Sequence, residues 1–180
     1  MKLLLLLIVI IGITESIAFY FSEILHRDYH WVHHLYLPIE YTIITLIFSS
    51  WIKNALYAKL LRNSIPFFWA FSILNSFFLQ NLNELNSYPI TLSLIVYTVI
   101  SLYVLFQIMS EDTGHIIKNH IFWISSGLLI FSAGDLAYFA FYSLIRTHYL
   151  IAIWAVHAIF NIVMHIFYSV GFVCQGGKWE

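Results

Sequence analysis

Apolar residues run along this chain in six long blocks separated by short polar segments, and that pattern predicts its elements. The blocks are Leu3–Phe21, Leu35–Ile52, Ile65–Leu79, Ile90–Met109, Ile121–Ile145 and Tyr149–Val173. About 20 apolar residues in a helix cross roughly 30 Å of hydrocarbon. No block alternates apolar and polar residues in the manner of a membrane strand. The pattern therefore predicts an all-α, polytopic transmembrane bundle of six helices, a single domain over residues 1–180. Pro66 stands at the start of the third and shortest block, where its missing N–H costs little.

The first block has a second reading. Met1-Lys2 before Leu3–Ile11, with Ser16-Ile17-Ala18 further on, has the layout of a signal peptide and its cleavage site. The apolar run nevertheless continues through Phe21 to spanning length, so a retained helix is expected. Cleavage would leave five helices and remove Glu15.

Composition narrows the class. Only 9% of the residues are charged and 61% are hydrophobic, against about 25% charged in a soluble domain. Most of the outside must face lipid, and the bilayer is the first expected partner. A net charge of −1, with no basic tail, gives no reason to expect nucleic acid. Cys174 is the sole cysteine, so an intramolecular disulfide is excluded.

Basic residues set the expected orientation, because cytoplasmic loops collect Lys and Arg. Lys2, Lys53, Lys59, Arg62, Lys118 and Lys178 fall on one side, and Arg27 and Arg146 on the other. This predicts a multi-pass protein of the inner (plasma) membrane, with both termini and the 53–64 and 110–120 loops cytoplasmic. Trp51, Trp69, Trp123 and Trp179 then mark the inner interface, and Trp31, Tyr36, Tyr88 and Tyr149 the outer one.

Ionisable groups inside a membrane helix cost about 2.5–3.5 kcal/mol each, so they usually face a cavity or a partner. Glu15, Glu40, Asp135, His157 and His165 are the five here. The first four fall in the outer half, roughly 8–15 Å deep at about 1.5 Å of rise per residue. With Asn75 and Asn161 they outline a candidate ligand-binding pocket open to the outside: Glu15, Glu40, Asn75, Asp135, His157 and Asn161. The alternative use of such groups is interhelical hydrogen bonding. His157, Asn161 and His165 recur every four residues and form one stripe on the sixth helix. Cavity lining suits His157, and packing suits His165.

The first outer loop holds His26, His30, His33 and His34. If that loop were helical, His26, His30 and His33 or His34 would share a face and could take zinc or another divalent metal. The same imidazoles could instead make the loop sensitive to pH near neutrality. Gly127, Ala133, Gly134 and Ala137 predict close helix packing along the fifth helix.

Two resemblances bear on these residues. Trp31-Val-His-His-Leu-Tyr-Leu-Pro-Ile-Glu40-Tyr41, Asn75-Ser-Phe-Phe-Leu-Gln80, and Phe122-Trp123 leading to Gly127, Phe131 and Gly134 resemble an uncharacterised family of small bacterial multispanning proteins. That likeness extends over most of the chain and implies a membrane fold without an established activity. Ser22-Glu-Ile-Leu-His26 and Asp135 are similar to elements of the membrane hydrolases that include alkaline ceramidases. There a later His-x-x-x-His completes a zinc site, whereas here Asn161 follows His157 and His165 comes four residues further on. No Lys lies within the predicted spans, which argues against retinal. The leading expectation is a non-enzymatic sensory or ligand-binding module, with a cytoplasmic signalling partner or a second copy of the chain beside it. A small-solute or ion transporter is the second expectation, and a metal-dependent lipid hydrolase the third.

Overall fold

A computed structural model describes residues 2–110, 116–142 and 150–176, without the side chains of 140–142, 150–154 and 176. Six helices carry the fold: α1 (Lys2–Phe19), α2 (His30–Trp51), α3 (Ala55–Leu74), α4 (Ser87–Ser110), α5 (His120–Tyr142) and α6 (Leu150–Gly176). There is no strand among the described residues. Four stretches are long and apolar enough to cross a membrane: Lys2–Ile24, Ser87–Ser110, His120–Phe139 and Ala155–Gln175. The chain is an α-helical bundle of the membrane-spanning kind. The predicted end of the fifth helix, together with Arg146, Tyr149, Lys178 and Trp179, lies outside the described residues.

α2 and α3 depart from the predicted bounds, for local reasons. α2 starts at His30 rather than Leu35 and takes in Trp31 through His34 as well as Pro38. Proline cannot donate to the carbonyl four residues back, and the Thr42 hydroxyl bonds the Pro38 carbonyl at 2.7 Å. α3 starts ten residues before the predicted Ile65. Asn54 caps it, its side-chain oxygen accepting from the amides of Leu56 at 2.9 Å and Tyr57 at 3.3 Å. Asparagine is among the strongest N-caps, so the segment 53–64 expected as a loop is mostly helix. Pro66 therefore lies inside α3. Apolar runs locate the lipid-facing part of a helix and miss a polar first turn that projects beyond it.

The chain groups into two compact units, Met1–Ile90 and Thr91–Glu180. In the first, α2 packs against both α1 and α3. Tyr41 stacks on Phe68 with ring centroids 3.9 Å apart, and its hydroxyl lies 2.7 Å from that of Ser64. In the second, α5 and α6 form an extensive pair, brought close by glycine. A Cβ on Gly127 would stand 2.7 Å from the Phe167 Cβ and 3.2 Å from the Met164 carbonyl. One on Gly134 would meet the Phe160 ring at 2.6 Å. Of the small residues predicted to allow close approach on α5, Gly127 and Gly134 do so against α6, whereas Ala133 and Ala137 are exposed.

Candidate functional site

The inward face of α5 repeats at helical spacing through Ile124, Leu128, Phe131 and Ser132 to Asp135, all buried. Asp135 thus occupies a core position that periodicity would give to an apolar side chain. Its partner comes from α6, where His157 is the first polar member of the His157, Asn161, His165 stripe. His157 Nδ1 lies 2.9 Å from each carboxylate oxygen of Asp135. The Asp135 side chain is 3% exposed and that of His157 31%. The rings of Phe131 and Tyr138 stand 6.0 and 5.9 Å from the imidazole. These residues lie one turn to either side of Asp135 on α5, so they wall the dyad along the helix.

This arrangement has defined chemistry. A carboxylate only accepts hydrogen bonds, so Nδ1 must carry the hydrogen facing it. Nε2 is then the reactive nitrogen, an acceptor or ligand in the neutral ring and a donor in the charged one. Two carboxylate oxygens offer about four lone-pair sites, and His157 is the one partner of Asp135 among the described residues. With a neutral ring the dyad holds a buried negative charge. With a charged ring it is a neutral ion pair. Buried charge is costly unless paired, and the His157 imidazole is the group that offsets it here.

The other residues of the predicted pocket have separate settings. On α6, the Asn161 carbonyl accepts from Nδ1 of His165 at 2.8 Å. The Nδ1 of His165 is thereby bonded within its own helix, rather than to the fifth helix that a packing role would join. In the first unit, Asn75 is fully buried, and its amide donates to Gln80 at 3.0 Å, whose own amide donates to Ser87 at 2.7 Å. This chain fastens the turn between α3 and α4. Glu40 is half-buried on α2. Glu15 is exposed on α1, at the edge of the face marked by Leu4, Leu7, Thr14 and Ala18, and makes no polar contact among the described residues. Of the six, Asp135 and His157 are joined by a direct bond.

The outer histidines do not gather. A π-helical turn over Tyr20–Ile24 ends the first helix, and His26 adopts a left-handed backbone with φ of 49°. The chain is irregular from there to His30, so the shared helical face does not form. His30 and His33 contact the Tyr29 ring instead. His34 is buried, with Nδ1 2.7 Å from the Ser76 hydroxyl and Nε2 2.9 Å from the Glu84 carbonyl. That clamp from α2 to the turn after α3 was missed, because its partners lie 42 and 50 residues away. Among the described residues no three His, Cys, Asp or Glu side chains are placed to hold a metal ion. The same break separates Ser22 from His26, and the Ser22 hydroxyl bonds Glu23 at 3.0 Å. Comparisons with protein-family models, curated proteins and solved structures find no match to this chain.

Proposed function

We propose that this chain is a sensory or ligand-binding module of the plasma (inner) membrane, with the Asp135–His157 dyad as its receptor site. The supporting observation is a nearly inaccessible carboxylate bonded through both oxygens to an imidazole that is one-third exposed. Such a pair takes up a proton or a hydrogen-bond-donating solute at the imidazole while the carboxylate holds the ring. A proton changes the charge of a buried pair joining α5 to α6, a bound solute changes its hydrogen bonding, and either change there biases how those helices pack. The six-to-two distribution of basic residues supports termini in the cytoplasm. The dyad then lies in the outer half, and α6 leads towards a cytoplasmic partner. Spin labels on α5 and α6 would test this through their separation against pH and against a panel of small polar solutes. A pH- or solute-dependent change in wild type that vanishes in Asp135→Asn is the expected result. Identical curves in both proteins would sink the reading.

A transporter is the second reading, and one observation favours it. Inward of Asp135, the hydroxyls of Thr98 and Ser132 lie 3.0 Å apart. Ser101 and Ser125 are fully buried, and neither hydroxyl has a hydrogen-bond partner among the described residues. Hydroxyls in series could carry a proton or a small ion past the dyad. Proton flux into vesicles containing the purified chain would distinguish the readings, since a sensor conducts none.

A further inference from the structure

The end of α2 and the start of α3 enclose a cleft of about 570 Å³, wholly within the first unit. Its polar lining is Ser49, Ser50, Lys53, Lys59, Arg62 and Asn63, and it includes no acidic side chain. Lys59 and Arg62 make no ion pair among the described residues. The sequence explains why they converge. Ala55, Ala58, Lys59 and Arg62 follow one another at helical spacing, so they share a face of α3. The two alanines leave the room that the cleft occupies.

We propose that this cleft binds the phosphate of an acidic phospholipid headgroup. Arginine offers a planar fork matched to phosphate oxygens, and lysine adds a mobile point charge. Basic pockets between membrane helices are suited to anionic headgroups. The α3 amides do not supply the attraction, since the Asn54 side chain already takes those of Leu56 and Tyr57. The side chains supply it.

Lipid, rather than free phosphate, is the source that fits the surroundings. Leu56, Tyr57 and Leu60 are 61%, 48% and 57% exposed on the same turns of α3. Acyl chains can run along those residues while the headgroup enters the cleft. Half-buried Trp51 closes α2 beside it, as an aromatic residue at a membrane interface does.

The experiment uses the full chain in neutral detergent, titrated with short-chain phosphatidylglycerol, phosphatidylcholine or inorganic phosphate and followed by tryptophan fluorescence. Phosphatidylglycerol should bind tightest. Lys59→Gln/Arg62→Gln should weaken it about thirtyfold, as expected for two lost cation–phosphate contacts at the membrane surface. Lys2→Gln, a basic site outside the cleft, should bind as wild type does. Arg62→Lys keeps the charge and should retain most of the affinity, which separates loss of the site from loss of the fold. Equal binding of the two lipids would overturn the proposal, as would an unchanged preference in the double variant with intact helical circular dichroism. Inorganic phosphate competing at the same concentration as the lipid would overturn the assignment to lipid.

Discussion

His157 Nδ1 lies 2.9 Å from both carboxylate oxygens of Asp135, a residue buried where the periodicity of α5 calls for an apolar side chain. Replacing such a pair by apolar residues is often neutral or stabilising, whereas removing one partner is costly. A buried pair of this kind is thus weak evidence for stability, which is a reason to look for a function in it.

The same asymmetry gives the first prediction. His157→Ala leaves the Asp135 carboxylate buried without its partner, so it should destabilise the protein more than Asp135→Asn does. The double variant should then be less destabilised than the sum of the two single variants by about 0.5–3 kcal/mol, the usual coupling between residues in contact. Unfolding in mixed micelles for wild type, both single variants and the double variant measures that coupling. Additive effects would show that the two residues are energetically independent.

Gly127 and Gly134 should respond differently to the same substitution. In Gly127→Ala the new methyl meets the Phe167 Cβ at 2.7 Å and the Met164 carbonyl at 3.2 Å. These belong to the frame of α6, so the helices must separate at a cost of about 1–3 kcal/mol. In Gly134→Ala the methyl meets the Phe160 ring, which can swing aside. Phe160 is one turn from His157, so Gly134→Ala should shift the pH or solute response more than the thermal midpoint. Equal loss of stability in the two variants would refute the distinction.

These contrasts also show what was legible in the sequence. Six apolar blocks gave six helices because burial in lipid sets a length and a composition for each block. Depth along a helix was readable too, and it put Asp135 and His157 at matching levels on consecutive helices. Direction around the helix was harder to read. The first helix is apolar on nearly every side, so no stripe marked the face that meets α2, and Glu15 proved to be exposed. The histidine loop failed for another reason. A shared face requires an unbroken helix, and the break between Ile24 and His30 removes it.

His34 leads to a prediction about the turn it holds. Nε2 faces a carbonyl and must donate, so in the neutral ring Nδ1 accepts from Ser76. His34→Ala would leave the exposed Glu84 carbonyl without this donor, at a net cost of about 0.5–1.5 kcal/mol. The loss should be local. Hydrogen exchange should accelerate at amides 80–86 and stay unchanged in α5 and α6. Uniform acceleration over the whole chain would mean that His34 supports the global fold rather than this turn.

Orientation can be tested with a reagent that does not cross the bilayer. Cys174 is the sole cysteine, and its thiol makes one weak contact, 3.7 Å from the Ile117 carbonyl, so Cys174→Ser is a mild background. Asn54 and Asn81 are exposed and flank the two ends of α3 and its π-helical extension. That stretch is 25 residues, 20 in α3 and 5 beyond it, about 37 Å at helical rise, so its ends can reach opposite faces of the bilayer. Lys53, Lys59 and Arg62 cluster at the Asn54 end, where positive charge resists translocation. In intact cells the reagent should label Asn81→Cys and leave Asn54→Cys unlabelled until the membrane is opened. The reverse pattern would put the basic cleft outside and the dyad in the inner half. Labelling of both positions in intact cells would mean that α3 does not span, which the polar first turns of that helix make the sharpest challenge to a six-helix topology.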